Sequence, residues 1–372
     1  MTSESVQSES KPAYLALAEK LRLAIDEKNI VPGSFLGTEV ELSRNHSLAR
    51  MTVRRAVQIL IDEGLLERLP GRGIFVRDSS HQTRVVKMLA GNLCWTPAVN
   101  MSRGARRVAT EKGVELLLCD GHGSQDDEIE TIRHLPYTGV RGAIIMSMHC
   151  HKFYNALCTL VSANFPFVVV DQQLHEIDAP SVCSDNLGGG KLAAQAILRA
   201  GHKRIAFIGD LDASTTNDRL TGVQAALFEA DLKLIDSIDI PVVDRLADWE
   251  PQIKKAVREL MTTNKPPTAM ICSCDTVARA AYRTLSELGL EIPRDISVIG
   301  FDDDPLAEWL NPPLSTIRQP FDEIGRIAME LLLERIANTK ASFEPKLVPV
   351  EYVERDSIAP PTRSALAISQ TA

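Results

Sequence analysis

No run of about 18 apolar residues occurs in this 372-residue chain, so no segment is built to span a bilayer as a helix. The opening stretch MTSESVQSESK lacks the basic start and the apolar centre of an export leader, which sets the expected location in the cytoplasm. Cysteines stand at 94, 119, 150, 158, 183, 272 and 274, an odd number without a repeated CxxC. Most of them sit in strand-like apolar runs, and the pattern reads as reduced, mostly buried thiols. With 44% hydrophobic and 24% charged residues the chain can bury a full core, and its length implies two or three domains.

Positive charge is outnumbered overall, 41 basic against 49 acidic side chains for a formal net charge of −8, yet it is concentrated in one place. Residues 1–80 carry eleven basic and eleven acidic side chains, which leaves the other 292 residues with 30 against 38. Within 43–77 there are seven arginines and three acids, and RNHSLARMTVRRA, residues 44–56, has four arginines and no acid. A charge run of this size is often just a solvated face, so the surrounding pattern has to decide.

Apolar residues at 14, 17, 18, 21 and 25 have the spacing of an amphipathic helix that ends at VPG. A short second helix fits TEVELSRNH, with Thr38 as cap and Glu41 as its capping-box partner. A third begins near Ala49, with Val53, Ala56, Val57 and Leu60 on one side and Arg50, Met51, Arg54 and Arg55 on the other. EGLLERLPGRGIFV then reads as strand, tight turn and strand, with Arg72 at the tip. The expected unit is an α+β winged helix-turn-helix, whose third helix would enter the major groove of double-stranded DNA while the wing follows the backbone. Guanidinium groups suit that task because they neutralise phosphates and pair bidentately with guanine.

Pro12/Tyr14, EVEL, ARMTVRRA, EGLL and GRGIFV, in that order, resemble the DNA-binding domain of the GntR family. The resemblance implies groove and backbone contacts from Arg50, Thr52 and Arg54, with Arg44, Arg55 and Arg72 reaching phosphates. Two departures stand out: Gly37 replaces the family's proline before the second helix, and Val40 replaces an arginine that often reaches DNA. Ala49 stands where a serine normally caps the third helix.

Beyond the polar linker at 79–84 the chain alternates strand-like and helix-like segments, with strands expected in RVVKMLAGN, VELLLCD, GAIIMSM, PFVVVD, RIAFIGD, TAMICSC and ISVIGFD. Continuous apolar strands separated by helices indicate an α/β fold of parallel sheets covered on both faces, here in two lobes. Ligands of such sheets bind beyond the carboxyl ends of the strands. Those ends bring forward Asn92 to Trp95, Met146 to His149, Asp171, Cys274, Asp275 and Asp302, and Arg219 follows RIAFIGD. An aromatic ring, carboxylates and an arginine suit a small polyhydroxylated ligand.

DNLGGGKLAAQAILRAGHKRIAFIGD and GFDDDPLAEWLNPPLSTIRQPFDEIGRIAMELLLERI resemble the effector-binding domain of the LacI/GalR family, which has the two-lobed periplasmic-binding-protein type I fold. The resemblance places ligand contacts on Asp171, Arg219, Asp275 and Asp302, and Trp95 completes the candidate set. Where that family has Asn-Asp, this chain has Cys274 before Asp275, and a thiol cannot replace an amide's donors and acceptor. The expected domains are 11–78 and 85–358, with a tail at 359–372. The lobes are expected at about 85–181 plus 314–337 and 182–313 plus 340–358.

Three other motifs lead elsewhere. GGGK at 188–191 lacks the first glycine and the Ser/Thr of a phosphate loop and reads as a close-packed helix start. HCH at 149–151 has metal-ligand residue types, but neighbours on an extended chain point to opposite sides, so no metal is expected. Asp302, Asp303 and Asp304 have no adjacent nucleophile or base, and no catalytic set is expected. Nor is there a sign of the pyridoxal-phosphate enzyme domain that another branch of GntR-type regulators carries, so no cofactor is expected. Together the two halves imply a regulator in the layout of arabinose-repressor-type proteins. It would be a homodimeric repressor released from its operator by a small molecule, a sugar being favoured. An activator, a sensor of a protein partner, or a sugar-acting enzyme remain as alternatives.

Overall fold

The computed structural model describes residues 12–26, 30, 33–62, 65–69, 71–76, 84–121, 125–146, 150–172, 177, 179–240, 246–339 and 342–362. The side chains of 26, 62, 125, 150–152 and 246–248 are outside that description. The chain divides into two units, Met1–Thr83 and Arg84–Ala372. All of the expected 79–84 linker except Arg84 falls outside the described residues, as do His149 and the side chains at 150 and 151; the backbone of 150 and 151 opens a helix, Cys150–Ser162, where the sequence reading expected an extended segment.

The first unit contains α1 (Ala13–Asp26), β1 (Phe35–Gly37), α2 (Glu39–Asn45), α3 (Arg50–Asp62), β2 (Leu66–Leu69) and β3 (Gly73–Val76). Its core is made where the amphipathic faces meet: Leu17, Ala18 and Leu21 of α1 against Leu42, Val53, Ala56, Val57, Leu60, Leu66, Ile74 and Val76. The four apolar residues assigned to one side of the third helix are all fully buried. Thr38 caps α2 in a capping box with Glu41, as its spacing requires. The added feature is β1, which pairs with β3 and turns the expected hairpin into a three-stranded antiparallel sheet. Gly37, at φ +118°, ends that strand, a conformation closed to the proline of the family pattern.

Ala49 has no side-chain acceptor to offer at the cap position of α3, although its carbonyl accepts the first bonds of the helix, from Thr52 at 2.9 Å and Val53 at 3.1 Å. Ala49→Ser supplies the missing acceptor and should stabilise this unit by about 1 kcal/mol. Urea unfolding of the two proteins, followed by the helical signal, checks this; an unchanged or lower midpoint would refute it.

The second unit has two six-stranded sheets. Its chain runs β4 (Val85–Ala90), α4 (Thr96–Glu111), β5 (Glu115–Asp120), α5 (Gln125–His134), β6 (Ala143–Met146), α6 (Cys150–Ser162), β7 (Phe167–Val170) and β8 (Ser181–Ser184). It continues through α7 (Asn186–Arg199), β9 (Ile205–Gly209), α8 (Ser214–Glu229), β10 (Asp236–Asp239), α9 (Leu246–Met261), β11 (Ala269–Cys272), α10 (Asp275–Glu287) and β12 (Ser297–Asp302). Last come β13 (Ser315–Arg318), α11 (Phe321–Ala337), β14 (Lys346–Val348) and β15 (Glu351–Val353). One sheet is ordered β14-β8-β7-β6-β4-β5 and is parallel throughout; the other is ordered β10-β9-β11-β12-β13-β15 and is parallel except for the β13–β15 pair. β6, β7, β9 and β11 are buried along their whole length, which explains their unbroken apolar sequences.

The lobe boundaries need correcting at three places. β8 pairs with β7, so residues 182–184 belong to the first sheet; β13 pairs with β12, so 315–318 belong to the second; β14 pairs with β8 and returns to the first. Each crossing follows a strand end, and local sequence does not say which of two apolar sheets a strand joins. GGGK sits inside α7, where Asp185 caps the helix by accepting from the Gly188 amide at 2.8 Å. A side chain at Gly190 would collide with the Arg219 carbonyl of α8, so the glycine serves helix packing.

The expected tail also requires correction, because 359–362 is docked. His202, buried beneath it, lies 2.8 Å from the Ala359 carbonyl through Nε2 and 3.0 Å from Thr268 Oγ1 through Nδ1. A carbonyl only accepts, so Nε2 carries the proton. Burial, opposed by the Ala359 carbonyl, holds the imidazole below its ordinary pKa. The unfolded chain therefore takes up this proton first, and the stabilisation from neutral His202 is complete above about pH 6.5 and is lost as pH falls below it. Melting of wild type and His202→Gln should thus differ most at pH 7.5 and converge toward pH 5.5; a constant difference would exclude the titration.

Candidate DNA-binding face and ligand cavity

Burying one side of α3 leaves the other side to solvent. Arg50, Arg54 and Arg55 are exposed there and Thr52 is half-buried, while Arg44 is exposed at the end of α2 and Arg72 on the β2–β3 turn. The guanidinium of Arg55 lies over the Tyr14 ring at 4.2 Å, and that of Arg72 over Phe75 at 5.6 Å. All six candidate residues belong to this one unit. Met51, which the sequence reading placed on this side of the helix without naming it a contact, is 70% exposed beside Arg50, and Arg68 of β2, which that reading left out, is exposed near the same face. An exposed methionine among arginines is suited to the methyl group of thymine.

The second candidate site is a cavity of about 250 Å³ in the second unit, lined from both lobes. Trp95, Thr96, Met146 and Asp171 come from the first lobe, and Arg219, Cys274 and Asp302 from the second. Strand ends supply Met146, Asp171, Asp210, Ser273, Asp302 and Gln319 to the wall, as the parallel-sheet rule requires, and helices supply about half of it. Asp171 and Asp302 are two of the few non-glycine residues with positive φ, at +61° and +121°. Backbone strain of this kind is tolerated where the surroundings dictate a side-chain direction, and aspartate is among the residues that accept it best.

Arg219 ties the wall together. Its Nε donates to Asn186 Oδ1 at 2.8 Å, its Nη1 to the Ser273 carbonyl at 2.6 Å, and its guanidinium stacks at 4.0 Å on Phe301. Burial pushes Asp171 up to about 6 and Asp302 up to about 7, in each case against the pull of Arg219. Gln319 Nε2 donates to Asp302 Oδ1 at 2.6 Å. Among the described residues neither Asp171 Oδ1 nor Gln319 Oε1, both buried, has a hydrogen-bond partner, so each is an acceptor open to a ligand. At the rim Thr96 Oγ1 donates to Asp304 Oδ2 at 2.5 Å and so joins the two lobes.

Asp275 does not belong to this wall, contrary to the expectation from the sequence. Its Oδ1 accepts from Thr316 Oγ1 at 2.7 Å and its Oδ2 from the Asp304 amide at 2.8 Å, so the carboxylate braces the loop after β12. Its neighbour Cys274 does line the cavity, and burial pushes that thiol up to about 12, keeping it neutral. The sequence reading also missed Asp210, Gln319 and Phe321 as wall residues. Asp210 was legible as the end of RIAFIGD, but the others follow β13, whose sheet was misassigned.

Among the described residues no group of three or more His, Cys, Asp or Glu is placed to hold a metal ion, and no helix is long and apolar enough to cross a membrane. Residues 13–76 match the family described as bacterial regulatory proteins, gntR family, and residues 194–358 match the periplasmic binding protein-like domain. The ribose operon repressor of Haemophilus influenzae is 37% identical over 199 residues, which cover 53% of this chain and 59% of that protein. The HTH-type transcriptional repressor PurR of Proteus mirabilis is 31% identical over 253 residues, covering 67% of this chain and 72% of that protein. A LacI family transcriptional regulator from Enterococcus faecium, solved with bound ribose, superimposes with a TM-score of 0.64 at 27% identity, covering 75% of this chain and all of that one.

Proposed function

Because this chain belongs to the LacI/GalR family of transcriptional regulators and carries a gntR-family DNA-binding unit at its N-terminus, we propose that it is a repressor whose hold on its operator is set by a small polyhydroxylated ligand, a pentose of the ribose class being the first candidate. The observation that carries this reading is the cavity bounded by both lobes, whose wall includes Asp171, Arg219, Asp302 and Trp95. Carboxylates accept from hydroxyl groups, the guanidinium donates to ring or hydroxyl oxygens, and the indole covers an apolar sugar face. Cys274 offers shape in place of an amide's hydrogen bonds, so the ligand is held by a different set of donors on that side.

Control follows from a population shift. A ligand that touches both lobes binds the closed arrangement better than the open one and moves the equilibrium by that difference in affinity. In a symmetric dimer this movement changes the spacing of two winged helices, and with it their fit to paired half-sites.

Thermal unfolding against pentoses, hexoses, their acids and phosphates, and nucleobases is the test. Ligand at about 100 times its dissociation constant should add about 2.7 kcal/mol to the stability of the unit that binds it. A shift with one sugar class, followed by release of operator DNA by that sugar, is the expected result. No shift with any sugar, together with one for a nucleobase, would overturn the sugar assignment.

A further inference from the structure

Glu39 is the first residue of α2, and its side chain is only 11% exposed. Three arginines from two elements converge on it. Arg54 Nε donates to its Oε1 at 3.1 Å, Arg68 Nη2 donates to the same oxygen at 3.0 Å, and Arg50 Nε lies 3.4 Å from Oε2. The cap of α2 does not depend on this residue, because Thr38 and Glu41 form the capping box. A negative charge on a face that meets phosphates weakens binding to any duplex, so its presence calls for a compensating role.

Guanidinium geometry supplies one. The group is a flat, rigid fork, and an acceptor engaged at Nε leaves the two terminal nitrogens at the far end. Those two nitrogens are the pair that reaches O6 and N7 of guanine or two phosphate oxygens. Arg50 and Arg54 are both engaged at Nε, and both lie on the solvent side of α3. Arg68, engaged through a terminal nitrogen, serves instead to balance the carboxylate. Burial pushes the Glu39 carboxyl up, but the hydrogen bond and charge of Arg54 and the charge of Arg68 outweigh it, so the group stays ionised at neutral pH.

The geometry points to Glu39 as a positioning residue for base readout: it aims Arg50 and Arg54 at base edges and exchanges affinity for DNA in general for discrimination between sequences. This rests on the reading of α3 as the groove-binding helix. The test uses the full chain, a duplex selected by the wild-type protein from a randomised library, and a random duplex of equal length. Glu39→Gln removes the charge, whereas Glu39→Asp keeps the charge and withdraws it by one methylene from both Nε groups.

Both variants should lose about tenfold or more of the ratio between selected and random duplex, the scale of one lost bidentate contact. Only Glu39→Gln should bind the random duplex more tightly. If Glu39→Asp matches wild type while Glu39→Gln tightens on both duplexes equally, Glu39 is a repulsive charge and the proposal fails. A parallel loss on both duplexes with earlier melting would show a structural role and also overturn it. Should Glu39→Gln alone melt early, the ratio for Glu39→Asp decides. If the wild type selects no duplex, the groove-binding reading falls and this inference falls with it.

Discussion

An Asp302→Asn protein should bind operator DNA as tightly as wild type and yet fail to respond to effector. Asp302 sits at the end of β12, half-buried in the cavity wall. The amide keeps the shape and can still accept the bond that Gln319 donates to Oδ1. It loses the charge, and hydrogen bonds to a charged acceptor contribute about 1.5–3 kcal/mol each, or roughly 10–150-fold in ligand affinity. Titration calorimetry with the sugar identified by thermal unfolding measures that loss, and equilibrium binding to the operator measures the unaffected half. An unchanged sugar affinity would remove Asp302 from the site.

The same carboxylate makes the response depend on pH. Burial raises Asp302 to about 7, opposed chiefly by the nearby Arg219, and Asp171 is raised to about 6. In the free protein these groups therefore hold protons that an unfolded chain, with ordinary carboxyl values, has already released. Their ionisation destabilises the fold as pH rises through the folded values, which is the opposite sign to His202. A ligand whose hydroxyls donate to the ionised carboxylates pulls the values back down and releases protons. Effector affinity should accordingly weaken as pH falls below about 7, and Asp302→Asn should flatten the upper part of that profile. A pH-independent affinity in wild type would mean that the ligand leaves these carboxylates alone.

Arg54→Ala should have the complementary effect: operator affinity falls and sugar affinity stays. Arg54 projects from the exposed side of α3, held through Nε by Glu39. If its terminal nitrogens pair with a guanine, the loss is about 1–3 kcal/mol on the selected duplex and is relaxed at one base position. A phosphate contact would instead lower affinity on all sequences and reduce the slope of log affinity against log salt by about one. Fluorescence anisotropy at several salt concentrations separates the two. Equal affinity on every duplex at every salt concentration would show that α3 is not the groove-binding helix.

Both units were legible because their local patterns answer to local physics. Val53, Ala56, Val57 and Leu60 have helical spacing since one face of α3 must be dry, and all four are fully buried. Thr38 and Glu41 state their cap by their separation. The seven strands expected in the second unit are strands; β6, β7, β9 and β11 are covered on both faces and so need unbroken apolar sequence, whereas β5, at a sheet edge, is apolar without being buried. β1 was missed since three residues carry no period, and β10, with the sequence DSID, since an edge strand need not be apolar.

Local sequence was enough to specify the two kinds of unit, the apolar faces of the helices, the basic face of α3 and the acids and arginine at the strand ends. Those features follow from composition and spacing within a few turns of chain. Contacts in space were needed to assign β8, β13 and β14 to their sheets, to show Asp275 bracing a loop while Gln319 and Phe321 line the cavity, and to bring Arg50, Arg54 and Arg68 onto Glu39. Each of these depends on residues far apart in the chain meeting in space, where partners already satisfied, as at Asp275, and acceptors left open, as at Asp171, become distinguishable.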